Sequence, residues 1–361
     1  MNKRFFILLV IFIAAVSSEI VKGQHTTSSS DKFTLLTRPF NQRPLTLFPG
    51  QFQANTGYKF AVRSQSYDQD GVLVDLKNNG TGSVYHYYFA ELKYGLTYFA
   101  ELGVQANFLR RGIREATVNL INTTPTTTDN IIVNKLTESK GMGDIFLFTT
   151  VRLPIEYKSF DFGLTGGIFL PSAKYEPEKP DNYVATADQA SGNYTINLHY
   201  NSNNGYGVPV YLFAASAKIT YNKFSLMADV SMQDPLAEGH NLRWEESLTE
   251  RAFSYYDKSY SYLLSRIYLL NVSFHYQATG WFNLFMNTSF SRTKGGWTEY
   301  WGLKYKNPEN DILNFEPGFE LQISPSITIY QTAGFPVKGK NCDAPFYMFT
   351  TLSFNMFPFL R

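Results

Sequence analysis

The sequence predicts an all-β protein, a transmembrane, antiparallel, up-and-down β-barrel of about twelve strands with short periplasmic turns and long extracellular loops. Three observations lead there. Apolar and polar residues alternate with a period of two in segment after segment, many reaching the roughly 9 to 11 residues that a tilted strand needs to cross a bilayer. The connections between these segments are alternately short turns and long polar loops, the pattern of an outer-membrane barrel. Aromatic residues make up 17% of the chain and charged residues also 17%, the latter below the roughly 25% of soluble domains. Mean hydropathy is slightly negative, and beyond the N-terminal leader no apolar run could span a bilayer as a helix, so strands are the remaining way across.

In chain order, Met1-Asn2-Lys3-Arg4 precedes an uncharged apolar run from Phe5 to Val16, followed by Ser17-Ser18 and Val21-Lys22-Gly23. That is the pattern of a secretory signal peptide, with cleavage expected after Gly23 and an apolar core too short to serve as an anchor. Lys3, Arg4 and Lys22 against Glu19 account for the whole formal charge of +2. The remainder is neutral and offers no basic field to nucleic acid. Cys342 is the single cysteine, so no internal disulfide forms, and no Cys/His cluster points to a metal or other cofactor.

The chain therefore divides into a signal peptide (1–23), a periplasmic N-terminal segment (24–50) and the barrel (51–361). Pro39, Pro44 and Pro49 make the middle segment extended and irregular. Its Phe33, Leu35, Phe40, Leu45, Leu47 and Phe48 would stay wet in a free tail. Part of Phe33 to Gly50 is accordingly expected to fold into the periplasmic mouth as a plug.

From Phe52 the alternation begins: Phe52, Ala54, Tyr58, Phe60 and Val62 face one way, Gln51, Gln53, Asn55, Lys59 and Arg63 the other. A second strand, Val84 to Tyr94, has Glu91 and Lys93 on its polar face. After Gly95-Leu96-Thr97 a third puts Tyr98, Ala100, Leu102, Val104, Ala106 and Phe108 outward and Glu101, Gln105 and Asn107 inward. A Thr/Asn-rich loop, Arg110 to Met142, leads to a hairpin from Gly143 to Pro171. There Ile145, Leu147, Thr149 and Val151 oppose Asp144, Thr150, Arg152 and Glu156, and after a turn Phe160, Phe162, Leu164, Ile168 and Leu170 oppose Asp161 and Thr165. Turning Arg152 outward at mid-membrane would cost on the order of 2 to 4 kcal/mol, which fixes the parity.

After a loop from Ser172 to Gly207, Tyr211, Phe213, Ala215, Ala217 and Ile219 alternate with Ser216 and Lys218. Tyr221-Asn222-Lys223 turns into Phe224, Leu226, Ala228, Val230 and Met232, with Asp229 and Gln233 inward. A loop over 234–259 precedes strands at Tyr262 to Tyr276 and Phe282 to Arg292. Arg266 falls on the apolar parity of the former and suggests a bulge or a snorkelling position. Leu313 to Ile323 alternates against Asn314, Glu316, Glu320 and Gln322, Ser324-Pro325-Ser326 turns into an eleventh strand, and Phe346 to Met356 is the twelfth. Aromatics bracket the short turns (Tyr94 with Tyr98, Tyr157 with Phe160, Tyr221 with Phe224, Tyr276 with Trp281), where an interfacial girdle belongs. A soluble sandwich also alternates, but its apolar faces would have to meet in one core, and these strands are too long and too regularly paired for that.

Three short motifs carry a family resemblance. Leu36-Thr37-Arg38-Pro39 with Phe48-Pro49-Gly50-Gln51-Phe52-Gln53 and Gly57-Tyr58, then Tyr94-Gly95-Leu96-Thr97, then Gly141-Met142-Gly143-Asp144, resemble in order and spacing the outer-membrane transporter family linked to meta-pathway phenol degradation. The resemblance implies a barrel akin to fatty-acid and aromatic-hydrocarbon channels, with no catalytic residues to carry over. The Thr-rich loop before Gly141 departs from the pattern and leaves the substrate open.

The inward parity gathers Lys59, Arg63, Glu91, Lys93, Glu101, Arg152, Glu156, Lys218, Asp229, Glu316 and Glu320, both signs together. They either pair across a narrow interior to satisfy buried charge or form a selective constriction. Twelve strands lie between a bore filled by side chains and an aqueous channel. No enzyme is expected: His199 and Ser202, three apart on a strand, point to opposite faces, and Asn-Ser-Asn-Asn-Gly is a turn. Asn241 to Asp257 is expected to form a short helix over the mouth, with Trp244, Leu248 and Ala252 at four-residue spacing and Trp244 and Phe253 as a capture site for an apolar solute.

The reading is a porin-like channel of the bacterial outer membrane that passively passes a small, apolar or aromatic solute. Its partners are outer-membrane lipids, that solute and, during biogenesis, the barrel-assembly machinery. The alternative is a non-transporting surface barrel acting as adhesin or scaffold; a lipid hydrolase ranks third.

Overall fold

The computed structural model describes residues 44–76, 82–114, 118–123, 128–153, 159–173, 180–188, 193–201, 205–249, 252–300 and 303–356. The leader, most of the N-terminal segment, Glu156, Tyr157 and Ser202 lie outside the described residues. Twelve strands form the barrel: β1 Phe52–Arg63, β2 Gly82–Thr97, β3 Ala100–Arg114, β4 Ile145–Arg152, β5 Phe160–Leu170, β6 Val210–Tyr221, β7 Phe224–Pro235, β8 Arg266–Gln277, β9 Phe282–Lys294, β10 Asn310–Ser324, β11 Ile327–Lys340 and β12 Phe346–Met356. Each is antiparallel to the next, and β1 closes the circle on β12 in an unbroken register from Phe52 opposite Met356 to Val62 opposite Phe346. Closure removes both sheet edges, which lipid could not have satisfied.

Burial is inverted relative to a soluble protein. Leu92, Leu102, Leu147, Leu164, Phe213, Val230, Leu270, Leu284, Phe315 and Met348 are exposed, while the side chains with less than 2% of their surface open are Glu320, Thr328, Ser225 and Ser353. The apolar face looks outward to lipid and the polar face inward, as the alternation requires. Phe52 against Tyr94, Phe224 against Tyr276 and Phe282 against Phe319 pair at ring-centroid distances of 4.6, 5.1 and 6.0 Å near the short turns, forming the periplasmic side of a girdle.

Several expectations are corrected. Tyr98 precedes β3 in the turn, and its ring packs edge-on against Phe48 at 6.5 Å, not against lipid. Arg152 is the last residue of β4, its amide bonded to Phe99 at the periplasmic turn, so the cost of turning it outward falls toward the roughly 0 to 1 kcal/mol of the interface. β8 begins at Arg266, where the guanidinium pairs with Asp234 at 2.7 Å beyond the apolar band; neither bulge nor snorkelling is needed. Gly239–Thr249 and Ala252–Leu263 form an antiparallel hairpin in a separate four-stranded sheet with Trp297–Tyr300 and Leu303–Lys306, so the expected helix carrying Trp244 and Phe253 is a β-ribbon. The loops over 110–142 and 172–207 likewise contain strands, with Thr128–Met142 extending the wall beside β3 and Asn193–Asn201 running parallel to it. Their Thr, Ile, Val and Tyr residues suit extended chain, a preference that the polar composition masked.

Candidate functional site

The lumen is organised in two layers, each built from inward positions of neighbouring strands. In the periplasmic half, Glu91 accepts from Asn55 Nδ2 at 2.6 Å and lies 3.4 Å from Lys93 Nζ, which lies 4.0 Å from Glu101. Arg152 of β4 pairs with Asp161 of β5. Glu320, 1% exposed, accepts from Asn283 at 3.0 Å, and buried Lys218 lines a cavity with Lys93 and Glu101. In the outer half, Glu316 accepts from the Tyr347 hydroxyl at 2.5 Å and from Ser289 at 2.6 Å. Lys59 stands 3.6 Å from the centre of the Tyr347 ring, and Arg63 pairs with Asp343 at 2.9 Å by the extracellular end. Asp229 sits opposite Ser216 on β7. Among the described residues these charged groups are spread over both halves of the barrel rather than gathered at one constriction, and Glu156 lies outside them.

The chain before β1 enters this lumen. The Leu45 amide donates to Asp161 Oδ2 at 2.8 Å, the Leu47 amide to Glu101 Oε2 at 2.9 Å, and the buried Thr46 hydroxyl to the Tyr98 carbonyl at 3.4 Å. Carboxylates accepting backbone N–H groups make strong, charge-assisted bonds, and here they fix a segment that has no strand partner of its own. Gly50, at φ 75°, turns the chain into β1, and its amide bonds the Gly95 carbonyl at 2.8 Å. A side chain at Gly95 would strike the Phe48 carbonyl, so two of the three short motifs singled out in the sequence meet at one junction. The third ends in Asp144, 4% exposed, whose carboxylate accepts from the amides of Ala173 at 3.1 Å and Tyr206 at 2.6 Å and pins both ends of the extracellular connection between β5 and β6 to the rim.

Between the segment and the opposite wall remains a cavity of about 340 Å³, bounded by Pro44 to Phe48, Gln53, Lys93, Glu101, Lys218 and Tyr330 among others. Its size is at the lower end of small-molecule sites. Sequence reasoning put Asp161 on the polar parity but left it out of the lumen charges, and it missed the inward aromatics. Phe146 stacks on Phe148 at 5.1 Å and on Phe169 at 4.3 Å, Phe89 meets Phe349 at 5.6 Å, and Lys93 Nζ lies 5.5 Å from the Phe148 ring centre. Phe146 and Phe148 occupy the parity of Asp144, Thr150 and Arg152, so the signal was present.

No family model and no curated protein matches the sequence. Among solved structures, an outer-membrane channel from Pseudomonas putida F1 is similar at a TM-score of 0.59 and 11% identity, covering 86% of this chain and 97% of that one. A mutant of the TodX monoaromatic hydrocarbon channel reaches 0.43 at 6% identity, over 86% and 91% of the chains, and the CymD monoaromatic hydrocarbon channel 0.40 at 7%, over 86% and 88%. At such identities the likeness is one of fold, and it rests on the first of the three. Closed, lipid-belted and of the fold of an outer-membrane channel, this barrel resides in the bacterial outer membrane.

Proposed function

We propose that the barrel is a passive channel for a small apolar or aromatic solute and that residues 44–48 close its periplasmic end as a removable plug. One observation carries this reading: a chain segment held through side-chain carboxylates on backbone amides enters the periplasmic half of the lumen, with a cavity of about 340 Å³ left beside it. Such bonds can break without unpairing any strand, whereas a barrel meant only as a scaffold could fill its bore from the wall. The inward phenylalanines support an apolar solute, since a path for water-soluble solutes has no use for rings whose faces water wets poorly. The cations beside them offer a ring-bearing solute cation–π and edge contacts along the way.

Planar bilayers and liposome flux test the reading together. The parent should show small, intermittent conductance, and deletion of residues 31–47 should enlarge it. Liposomes containing the parent should admit a monoaromatic solute faster than a sugar of similar size. A folded deletion variant without conductance, or a sugar admitted as fast as the aromatic, would overturn the plug and the solute class respectively.

A further inference from the structure

The outward face of the barrel at its extracellular rim carries a basic sector that the channel reading does not use. On β8 to β11 the outward positions just beyond the apolar band are Arg266, Lys294, Arg292, Lys338 and Lys340. The register places Arg266 opposite Lys294 and Lys340 opposite Asp311. The shift between Leu313 and Asn314 restores Lys338, opposite Leu313, to the outward side. All five are exposed. Asp234 and Asp311 are engaged by Arg266 and Arg292 at 2.7 Å, while Lys294, Lys338 and Lys340 have no ion pair within 4.0 Å among the described residues. On the opposite wall the corresponding outward positions of β4, β5 and β6 are Ile145, Leu170 and Tyr211, and the exposed pair Arg110 and Lys140 beside β3 lies apart from this sector.

Immediately below it the wall is apolar: Phe290, Leu313 and Phe335 all face lipid. Above Leu313 the turn Gln69–Gly71 borders an open cleft of about 590 Å³, whose lining combines Phe290 and Leu313 with the cations Arg292, Lys338 and Lys340 and the carboxylates Asp70 and Asp311, three positive charges against two negative. An apolar floor joined to a cationic head, at the height where acyl chains meet headgroups, fits an amphiphile with fixed negative charge. Zwitterionic lipid would leave the lysines uncompensated, and a soluble anion would make no use of the floor.

We propose that this sector binds a phosphorylated glycolipid of the outer leaflet, its phosphates on Lys338, Lys340 and Arg292 and an acyl chain against Phe290 and Leu313. Lys294, over the Tyr268 ring at 5.5 Å, extends the cationic contact along the rim. The lipid would hold the barrel at its depth in the membrane and shield the cleft.

The full-length mature barrel, purified in a mild detergent, is titrated with bisphosphorylated lipid A, its dephosphorylated analogue and inorganic phosphate, and bound lipid is read by native mass spectrometry. The parent should retain the bisphosphorylated lipid, lose most affinity for the dephosphorylated one and resist competition by inorganic phosphate. Lys338→Glu with Lys340→Glu should weaken binding by about thirtyfold or more, the size expected for two surface cations near an anionic headgroup. Lys338→Gln with Lys340→Gln serves if the charge reversal fails to fold. Arg110→Glu, an exposed outward cation on β3, should leave binding unchanged. Equal binding by parent and lysine variants, an equal loss in Arg110→Glu, or displacement by inorganic phosphate at comparable concentration overturns the proposal.

Discussion

The Leu45 amide and the Asp161 carboxylate, 116 positions apart in sequence, are joined at 2.8 Å inside the periplasmic mouth, and the same carboxylate holds Arg152. One side chain therefore fastens the N-terminal segment and neutralises the nearest wall cation. Glu101 repeats the arrangement, with the Leu47 amide at 2.9 Å and Lys93 at 4.0 Å. The segment is coupled to the lumen's charge balance, and loosening it changes both the bore and its electrostatics.

Replacing Asp161 and Glu101 together by Ala should raise single-channel conductance above that of either single variant. Asp161→Ala also strands Arg152, whose side chain is 28% exposed, at a cost of about 1–3 kcal/mol; a shift in the heat-modifiability midpoint on gels reads that loss separately. Unchanged conductance in a folded double variant would show that carboxylates do not hold the segment.

Much of the wall was legible because a period of two assigns every residue of a strand once one is placed. Lys59, Glu91, Lys93, Glu101, Lys218 and Glu316 follow from Phe52, Leu92, Leu102, Ile219 and Phe315 facing lipid. The helix expected over 241–257 failed for the same arithmetic: a spacing of four is even, so Trp244 and Leu248 share a strand face as readily as a helix face. What decided between them was the partner, with Leu248 opposite Phe253 and Trp244 opposite Asp257, information that no local window holds. Asp161 was hidden differently, since its function depends on a residue that precedes the barrel altogether.

Gly103 faces inward on β3 beneath the Phe148 ring, where an added Cβ would collide with the ring carbons. Phe148 covers the backbone that the glycine leaves bare, an arrangement that pins register between β3 and β4. Gly103→Val should destabilise the barrel by about 1–3 kcal/mol, measured as a lowered urea midpoint in liposomes. Phe148→Ala in the same chain should recover most of the loss, and failure to recover would mean that the strain lies in the backbone.

Cys342, outside the membrane band, donates its thiol to the Asp311 carbonyl at 2.9 Å. Burial, with smaller contributions from Asp343 and Asp311, pushes its pKa above the usual thiol value. The thiolate thus forms later in the folded protein than in the unfolded chain. Its contribution to stability is complete below the unfolded pKa of about 8.5 and is lost as pH rises through the folded value. As the only cysteine, it gives a clean readout: alkylation by iodoacetamide should be slow near neutrality and still accelerating where a free thiol has levelled off. A rate profile matching free cysteine would contradict the half-buried, bonded thiol.

Asp144 ends the Gly-x-Gly-Asp motif at the point where the chain leaves the extended Thr128–Met142 strand and enters β4. Gly141, at φ 150°, and the Gly143 amide on the Asn107 carbonyl at 2.8 Å set the bend. The carboxylate points in from the rim and holds the amides of Ala173 and Tyr206. The space beside it is too tight for any side chain at Gly205, whose Cβ would sit 2.5 Å from Asp144 Oδ1. Because Tyr206 in turn bonds Gln233 and accepts from Tyr262, Asp144 organises three connections at once. Asp144→Ala leaves two half-buried amides without their acceptor, a loss of about 1–3 kcal/mol each where water cannot replace it. The twelve-stranded ladder lies elsewhere and should survive. Limited proteolysis should then cut within 172–207 much faster than in the parent while the heat-modifiable band persists. Asp144→Asn, which keeps one acceptor oxygen, should fall between the two, and equal cleavage in all three proteins would remove Asp144 from its role as the pin of the extracellular rim.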